Sequence, residues 1–345
     1  MFNGKTILIT GGTGSLGRQL TKILLTEHQP KKLIIFSRDE LKQYEMQQDW
    51  STVRHSNIRF FIGDVRDRER LIRAFHGVDY VIHAAALKQV PAAEYNPAEC
   101  IRTNVMGAMN VIDAALENGI QRLVALSTDK ACNPINLYGA TKLCSDKLFI
   151  AANAYSSTSE KIFSVVRYGN VVGSRGSVVP FFRKAAARGA IPITDPRMTR
   201  FWITIEQAAR FVLRVLSMAQ GHEIFIPKIP SMRIADLATA LAPGCRQDVV
   251  GIRAGEKIHE LLIGRDDARN AIECDDHYVL LPQQQFEDRL RTHRDARRCP
   301  DGFEYSSDAN PWFYDVAALR GAIAELEGVA ASMPSVVPVP MTTTA

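Results

Sequence analysis

Short apolar runs alternate with helix-like patterns along the first half of the chain. After the first run, Leu16, Leu20 and Leu24 recur at the spacing of one helix face, and a similar pattern from Ile101 to Ala115 predicts a long helix. Such uniformly apolar runs are typical of strands covered on both faces, and their alternation with helices predicts a parallel sheet with right-handed crossovers. The sequence therefore predicts a doubly wound α/β domain. The five predicted strands are Thr6–Thr10, Leu33–Phe36, Ile58–Ile62, Val78–Ile82 and Leu123–Leu126.

Beyond about residue 170 the pattern is less regular, and proline and glycine are frequent. We expect a first domain over residues 1–170 and a smaller, mainly substrate-binding domain over residues 171–330, part of which returns to the sheet. Residues 331–345 hold three prolines and a run of threonines, so we expect a disordered tail there. The predicted elements of the second domain are loops at Gly173–Gly176 and Ile191–Pro196 and helices at Gln207–Leu216 and Ile234–Leu241.

Composition narrows the class of protein. The chain has 345 residues, of which 46% are hydrophobic and 23% charged, values that exclude a fibrous or disordered chain. The net charge of +5 is spread along the sequence and does not indicate a nucleic-acid partner. No apolar run approaches the roughly 20 residues of a membrane span, and no signal peptide is recognisable. Because the six cysteines form no C-x-x-C pair, we expect reduced thiols, no metal site and a cytoplasmic protein.

A glycine-rich turn, TGGTGSLG, directly follows the first predicted strand and opens the first predicted helix. Its three spaced glycines allow a tight turn and close approach of a pyrophosphate to the helix N-terminus, where amide donors and the helix dipole favour negative charge. An incidental glycine loop is the alternative, but the strand, helix and second strand around the turn favour a dinucleotide site. The expected cofactor contacts in this turn are Gly11, Thr13, Gly14, Ser15, Leu16 and Gly17.

The end of the second predicted strand indicates which dinucleotide is bound. An acidic residue at this point is typical of NAD sites, whereas an arginine suits the 2′-phosphate of NADP. Ser37, Arg38 and Lys42 are suitable phosphate partners, while Asp39 favours NAD. We therefore predict NADP. The next dipeptide of interest, Asp64–Val65, follows the third strand and is predicted to meet the adenine, with a simple strand cap as the alternative.

A tyrosine and a lysine four residues apart, Tyr138 and Lys142, share one face of a predicted helix. A tyrosine with a pKa of about 10 is a poor base, but a neighbouring ammonium and an oxidised nicotinamide lower that pKa. The phenolate can then accept a proton from an alcohol while hydride leaves for the cofactor. A surface helix pair is the alternative, but the position after a dinucleotide turn and a fifth strand favours catalysis.

The fifth predicted strand ends in Thr128, Asp129 and Lys130, at the edge where open parallel sheets bind their ligands. Thr128 is expected to hydrogen-bond the reacting hydroxyl. Asp129 and Lys130 add an acid and a base that alcohol oxidation alone does not require, which indicates a second step such as an elimination. A solvated ion pair in a loop is the alternative for these two residues.

Three stretches carry a resemblance to a known family. The glycine turn, the STDKA stretch at 127–131 and the segment from Asn133 to Lys142 resemble the extended short-chain dehydrogenase/reductases. Within that family the chain is similar, from about Lys5 to about Pro282, to the 4,6-dehydratases that invert C5 of UDP-N-acetylglucosamine on the way to pseudaminic acid. The fold expected from this resemblance is a Rossmann domain with a smaller C-terminal substrate-binding domain.

The resemblance also implies a mechanism. Tyr138 takes the proton of the C4 hydroxyl as hydride passes to NADP, neutral Lys130 removes the C5 proton, and protonated Asp129 releases the C6 hydroxyl as water. Hydride returns to C6, and C5 is protonated on its opposite face. A partly desolvated Lys130 is expected to have the lowered pKa that a base requires.

The implied ligand is UDP-N-acetylglucosamine, bound by a homo-oligomer, with neither nucleic acid nor membrane as a partner. Two other functions stay open. A UDP-hexose 4-epimerase needs the tyrosine and the cofactor but has no use for Asp129 and Lys130, and a non-catalytic NADP-binding protein needs neither Tyr138 nor Lys142. The substrate contacts implied by similarity are Lys88, Asn170, Val171, Arg200, Arg253 and Glu256, with Ala84 and Lys88 also near the cofactor.

Overall fold

The computed structural model describes residues 1–155, 161–173, 178–292 and 296–331. Their strands are β1 (Thr6–Thr10), β2 (Lys32–Ser37), β3 (Ile58–Ile62), β4 (Tyr80–His83), β5 (Arg122–Leu126), β6 (Ile162–Val166), β7 (Asn170–Val172), β8 (Ala190–Ile193), β9 (Thr199–Thr204), β10 (Ile224–Pro227), β11 (Ser231–Arg233), β12 (Arg246–Val249), β13 (Leu261–Ile263), β14 (Ala271–Glu273), β15 (His277–Leu280), β16 (Arg297–Arg298) and β17 (Tyr305–Ser306).

The helices of the described residues are α1 (Ser15–Thr26), α2 (Glu40–Asp49), α3 (Arg68–Phe75), α4 (Val90–Tyr95), α5 (Pro97–Ile101), α6 (Gly107–Glu117), α7 (Leu137–Ala152), α8 (Val178–Ala186), α9 (Ile205–Met218), α10 (Ile234–Leu241), α11 (Gln283–Thr292) and α12 (Val316–Ala331). A π-helical turn joins α5 to α6, and a 3₁₀ turn, Asp129–Ala131, follows β5. Local sequence fixes several helix starts. Asp39 caps α2 by accepting from the Lys42 amide, and Thr204 and Gln207 form a reciprocal capping box at α9.

The main sheet has ten strands in the order β16-β14-β15-β10-β6-β5-β4-β1-β2-β3. The seven strands from β10 to β3 are parallel, and β15, β14 and β16 continue the sheet in antiparallel pairing. The strand order reverses between β1 and β4, which is the point where such sheets open a crevice at the carboxyl ends of their strands. The predicted doubly wound architecture is confirmed, and β10, β14, β15 and β16 come from the second half of the chain.

A second, smaller core lies outside the main sheet. It combines β8, α10 and α12, which pack on each other through side chains contributed by residues far apart in sequence. Its buried members include Phe182, Ile191, Trp202, Leu237 and Leu319. The short sheets β11-β9-β7 and β12-β8 also belong to this region. Only residues 167–169 separate the end of β6 from the start of β7. The smaller unit therefore adjoins the carboxyl edge of the main sheet.

The structure corrects the first residue of one predicted strand and the extent of one predicted loop. Val78 is not in β4, because its amide donates to the Phe75 carbonyl (3.0 Å) and closes the turn after α3. The loop predicted at Ile191–Pro196 is wrong for residues 191–193, because residues 190–193 form β8 and pair with β12, and it is confirmed for residues 194–196. A strand of four residues that contains Pro192 has no clear local pattern, and its partner lies more than fifty residues away.

Four other predictions have different outcomes. The long helix predicted from Ile101 to Ala115 is helical but is interrupted by the π turn at residues 102–106. The helix predicted at Ile234–Leu241 is confirmed. The tail predicted for 331–345 lies outside the described residues except for Ala331, the last residue of α12, and most of the loop predicted at Gly173–Gly176 is also outside them. In the described part of the chain, no helix has the length and apolar character of a membrane span.

Candidate active site

One large cleft opens at the carboxyl edge of the sheet, with a volume of about 1130 Å³. It runs from the glycine turn after β1, past the ends of β4 and β5, to the smaller unit. Every residue predicted from the sequence as a site residue lines it: Gly11, Thr13, Gly14, Ser15, Leu16, Gly17, Ser37, Arg38, Lys42, Asp64, Val65, Ala84, Lys88, Thr128, Asp129, Lys130, Tyr138, Lys142, Asn170, Val171, Arg200, Arg253 and Glu256.

The glycine turn fits the pyrophosphate of a dinucleotide. A Cβ on Gly17 would lie 2.3 Å from the Gly12 carbonyl oxygen, so a side chain at this position would force the turn and α1 apart. Gly14 is the N-cap of α1 and provides no capping side chain, and the first turn of the helix has no acidic residue. The helix N-terminus therefore presents amide donors and positive dipole potential to the cleft, as an anion site requires.

The residues at the end of β2 are paired with one another. Ser37 Oγ lies 2.8 Å from Thr13 Oγ1, which joins the end of β2 to the glycine turn. Lys42 Nζ contacts the Asp39 carboxylate, so the acidic residue that favours NAD is already neutralised by a lysine. The Arg38 guanidinium, 54% exposed at its side chain, lies 3.7 Å from Asp64 at the rim of the cleft.

Helix α7 positions Tyr138 and Lys142. Asn136 caps the helix by accepting from the Gly139 amide (2.8 Å), which places Tyr138 in the first turn, where the helix dipole stabilises negative charge. A Cβ on Gly139 would lie 2.0 Å from the Lys130 carbonyl oxygen. The glycine therefore allows α7 to pack directly on the turn that carries Asp129 and Lys130, and it brings Tyr138 to their side of the cleft.

Asp129 and Lys130 form a part-buried ion pair, in which the Asp129 side chain is 1% exposed and that of Lys130 is 23% exposed. Lys130 Nζ donates to Asp129 Oδ1 (3.0 Å), and Thr128 Oγ1 donates to the same oxygen (2.9 Å). Lys130 Nζ also lies 3.1 Å from Oε1 of a second buried carboxylate, Glu260. Within the described residues, Asp129 Oδ2 and Glu260 Oε2 have no hydrogen-bond partner.

The charges and the burial around Tyr138 and Lys130 determine the pKa values of both groups. Burial raises the pKa of Tyr138 to about 12, although Lys130 and a hydrogen bond with Thr128 act to lower it. Burial of Lys130 acts to lower its pKa, but the neighbouring carboxylates of Asp129 and Glu260 outweigh burial and raise that pKa. The expectation of a lowered lysine pKa is therefore wrong for the protein without ligands. The main cause is Asp129, and Glu260, a second carboxylate brought in from more than a hundred residues away, adds to its effect.

Lys142 behaves differently from Lys130. Its residue is 3% exposed, and burial lowers the pKa of its ammonium, while Asp146 one turn further along α7 acts to raise it. Nearby in β4, burial lowers the pKa of His83 to about 3, assisted by the charge of Lys142. His83 is therefore neutral, and its Nδ1 lies 2.8 Å from Thr10 Oγ1.

The substrate side of the cleft contains two different arginines. The Arg200 guanidinium is 11% exposed and donates to the carbonyls of Thr199 (2.7 Å), Ile258 (3.0 Å) and Lys257 (3.0 Å). The Arg253 side chain is 62% exposed and lies 3.7 Å from Glu256. Arg253 is therefore the guanidinium available to an anionic ligand, whereas Arg200 holds the segment that leads into β13.

Residues 7–282 of the sequence match the family model described as polysaccharide biosynthesis protein. The chain belongs to this family. The family lies within the extended short-chain dehydrogenase/reductases, so the resemblance expected from the sequence motifs is confirmed.

Two proteins similar to this chain have names that state an activity. The chain is 56% identical over 337 residues to a UDP-N-acetylglucosamine 4,6-dehydratase (inverting) of Campylobacter jejuni, covering 95% of this chain and 100% of the relative. It is 42% identical over 286 residues to a UDP-glucose 4-epimerase of Rickettsia canadensis, covering 81% of this chain and 83% of the relative.

Solved structures agree with the fold. Pen from Bacillus thuringiensis has a TM-score of 0.87 and 35% identity, covering 95% of this chain and 99% of that one. DesIV, a dTDP-glucose 4,6-dehydratase from Streptomyces venezuelae with NAD and TYD bound, has a TM-score of 0.65 and 23% identity over 73% of this chain and 86% of that one. The second likeness shows the fold alone.

Sequence patterns missed three buried polar residues that lie beside the ion pair or on and against helix α7. Glu260 is one. Asp146 is the second, and it accepts from Ser127 Oγ (2.7 Å) and from Arg167 Nη2 (3.2 Å), which ties α7 to β5 and β6. Asn104 is the third, in the π turn. Only Asp146 carries a local signal, because it follows Lys142 by four residues on the same helix face.

Asn104 links the loop after β4 to the catalytic helix. Its Oδ1 accepts from the Leu87 amide (2.8 Å), and its Nδ2 donates to the Leu87 carbonyl (2.9 Å) and to Thr141 Oγ1 (3.0 Å). The loop that carries Lys88 is thereby fixed relative to α7. A π turn shifts a side chain out of the ordinary helical register, which is why no helical periodicity identifies this residue.

Proposed function

We propose that the protein is a UDP-N-acetylglucosamine 4,6-dehydratase that inverts C5. The observation that carries the proposal is the part-buried Asp129–Lys130 ion pair beside Tyr138, at the carboxyl end of β5. It supplies an acid and a base in addition to the tyrosine that alcohol oxidation needs. The 56% identity to an inverting dehydratase along the full length of that relative supports the same assignment.

The cofactor proposed is NADP. The glycine turn fits the pyrophosphate, Ser37 and Arg38 are the proposed partners of the 2′-phosphate, and Lys42 assists by neutralising Asp39. Val65 and Ala84 are proposed to contact the adenine and nicotinamide portions. When bound, NADP supplies a hydride acceptor for C4 and a hydride donor for C6, so that no net oxidation occurs.

Tyr138 is proposed to accept the proton of the substrate C4 hydroxyl. Its pKa of about 12 in the protein alone, which already includes the lowering by Lys130, makes it a weak base, and the positive charge of the oxidised nicotinamide would bring that pKa down. Thr128 would orient the same hydroxyl. Lys142, deeply buried on the next turn of α7, is proposed to hold the cofactor ribose and the tyrosine in register.

Elimination needs neutral Lys130 and protonated Asp129, and these differ from the observed ion pair only in the position of one proton. Transfer of that proton over the 3.0 Å hydrogen bond from Lys130 to Asp129 creates the reactive state without any change in net charge. Lys130 then takes the C5 proton, and the C5–H electrons form the C5–C6 double bond. The C6–O bond breaks as Asp129 protonates the oxygen, water leaves, and the ion pair is restored.

The sugar nucleotide is proposed to bind between Lys88 and the smaller unit. Arg253 is the proposed partner of the diphosphate, because its guanidinium is exposed to the cleft. Buried acceptor atoms without partners in the described residues, among them Asn170 Oδ1 and Glu256 Oε2, suit hydroxyl and amide donors of the ligand. Val171, adjacent to Asn170, and Arg200, which orders the segment before β13, complete the proposed set.

A UDP-hexose 4-epimerase is the second candidate, favoured by the 42% identity to a relative with a related name. An epimerase uses the tyrosine and the cofactor, but it has no task for Asp129, and burying that carboxylate carries a desolvation penalty. This cost also argues against a non-catalytic binding protein. We further propose a homo-oligomer in the cytoplasm whose product enters pseudaminic acid synthesis.

Mass spectrometry of UDP-N-acetylglucosamine incubated with the purified protein tests the proposal. We expect a product lighter by one water. Tyr138→Phe should form none, whereas Tyr155→Phe, at a tyrosine that is 74% exposed and does not line the cleft, should behave as the wild type. A product of unchanged mass would favour the epimerase, and unchanged dehydration by Tyr138→Phe would contradict the assigned base.

A further inference from the structure

Glu260 is a buried carboxylate that has no role in the mechanism above. The residue is 2% exposed and directly precedes β13. Its backbone is fixed on both sides by Ser307, because the Glu260 amide donates to Ser307 Oγ (2.9 Å) and the Ser307 amide donates to the Glu260 carbonyl (2.9 Å). The C-terminal segment therefore fixes the backbone from which the Glu260 side chain extends.

The Glu260 carboxylate faces the reacting pair. Its Oε1 lies 3.1 Å from Lys130 Nζ and 3.7 Å from Arg200 Nε. Lys130 Nζ is thus held between two carboxylates, Asp129 at 3.0 Å and Glu260. The Arg200 guanidinium cannot move toward Asp129 without losing its three backbone carbonyl acceptors. Glu260 also borders a side cavity of about 240 Å³ that branches from the main cleft at Lys130.

We propose that Glu260 is a positioning residue for the C5 proton transfer, which holds Lys130 Nζ opposite Asp129 and keeps the shared proton on the Asp129–Lys130 pair. The inference rests on the proposed dehydratase function. It follows from the proton count, since the reactive state and the ion pair contain the same single proton, and loss of that proton to solvent would leave Asp129 unable to act as an acid. A second negative charge beside Lys130 opposes that loss.

Four charged or titratable groups face this proton. Asp129 and Glu260 favour its retention, Arg200 opposes it, and the Tyr138 phenol lies on the same side of the cleft. In Glu260→Gln the size is kept and the charge is removed. The pKa of Lys130 should then fall by about one unit or more, the usual effect of an adjacent charge, and the alkaline limit of kcat/KM should move to lower pH by the same amount. Glu260→Asp, with its carboxylate withdrawn by one methylene, should give a smaller shift in the same direction.

The deciding measurement is an NMR titration of protein labelled with ¹³C at lysine Cε, with the Lys130 signal assigned from its disappearance in Lys130→Arg. It needs no substrate. The proposal expects the Lys130 pKa to decrease in the order wild type, Glu260→Asp, Glu260→Gln. Glu273→Gln is the matched control, because it removes another lysine-bound carboxylate, 2.7 Å from Lys228 and outside the cleft, and it should leave the Lys130 titration unchanged.

Two results would overturn the proposal. One is a Lys130 titration that Glu260→Gln leaves unchanged, whatever happens to the rate, since a purely structural role would lower stability or activity without moving this pKa. If Glu260→Gln does not fold, an unchanged titration in Glu260→Asp has the same meaning. The other is a wild-type protein that performs no dehydration, which would refute the proposed function and the C5 role together, even where the titration still reveals the Glu260–Lys130 coupling.

Discussion

Lys130 Nζ lies 3.0 Å from Asp129 Oδ1, so two residues adjacent in sequence form a hydrogen-bonded ion pair in the floor of the cleft. Their 3₁₀ turn after β5 makes this geometry possible, because it folds the two side chains to the same side. The pair can exchange a proton internally, and both of the resulting states have the same net charge. This property suits an elimination that needs an acid and a base at neighbouring carbons.

Asp129→Asn should block the loss of water and spare the first oxidation. The amide cannot donate the proton that the C6 oxygen needs, so we expect dehydration to slow by about 10²- to 10⁴-fold, the usual range for a general acid. Rapid-mixing absorbance of reduced nicotinamide should still report hydride transfer from C4. Asp301→Asn, at an exposed residue, is the control. Equal dehydration rates in the wild type and Asp129→Asn would assign the acid to another group.

Gly139→Ala should separate Tyr138 from the ion pair. The added Cβ would meet the Lys130 carbonyl at 2.0 Å, so either α7 or the 3₁₀ turn must shift. Such overpacking costs about 1 to 3 kcal/mol of unfolding free energy and should also reduce kcat. In Gly321→Ala, in α12, the added Cβ meets no atom, so neither the unfolding free energy nor kcat should decrease. Denaturant titration and steady-state kinetics of the two variants test this, and a stable, fully active Gly139→Ala would refute the close contact.

Arg38→Ala should reduce the preference for NADP over NAD. The guanidinium is exposed at the rim beside Ser37 and has only Asp64 at 3.7 Å as a salt-bridge partner in the described residues. Losing an arginine–phosphate contact of about 1.5 to 3 kcal/mol corresponds to a weakening of NADP binding by about tenfold or more. NAD binding should change little. Calorimetry with both dinucleotides measures the effect, with Arg320→Ala as an exposed control, and an equal loss for both would remove Arg38 from the 2′-phosphate site.

His83 should make the native protein sensitive to mild acid. Burial lowers its pKa to about 3, while the unfolded residue titrates at about 6.5. Between these values the unfolded chain binds a proton that the native state excludes, so the stability contributed by neutral His83 is present above about pH 6.5 and is lost as the pH falls. From about pH 7 to about pH 5 the loss should be about 2 kcal/mol.

The acid sensitivity can be assigned with His83→Asn, which keeps a polar partner for Thr10 Oγ1 but does not titrate in this range. Its free energy of unfolding should fall less on acidification, by about the same 2 kcal/mol. Urea denaturation at the two pH values gives the comparison. Identical losses in the wild type and His83→Asn would show that another group is responsible.

The sequence was sufficient for strands β1 to β5 of the ten-stranded sheet and for most of the cleft because the relevant signals are local. A uniformly apolar run, a glycine turn and a Tyr-x-x-x-Lys spacing each arise within one strand–helix unit, and such units have only one common handedness. The carboxyl edge then brings the ends of β1, β4 and β5 together. Tyr138 and Asp129 could therefore be placed near the cofactor site without any knowledge of tertiary contacts.

The remaining features depend on contacts between distant segments. The raised pKa of Lys130 could not be predicted, because Glu260 reaches it through the pairing of β13 with β17 and the anchoring by Ser307. Strand β8 was missed for a similar reason, since its partner β12 comes from a different part of the chain. Arg200 could not be distinguished from Arg253 by sequence, because only the fold reveals that carbonyls surround one of them.

The most direct test of the dehydratase assignment is NMR of UDP-N-acetylglucosamine incubated with the purified protein in D₂O, with no cofactor added. The account predicts a 4-keto-6-deoxy sugar of L-arabino configuration with deuterium at C5, because hydride is returned to C6 while the C5 proton is exchanged and replaced on the opposite face. Formation of UDP-N-acetylgalactosamine with no loss of water, or a deoxy product that keeps the D-configuration at C5, would contradict it.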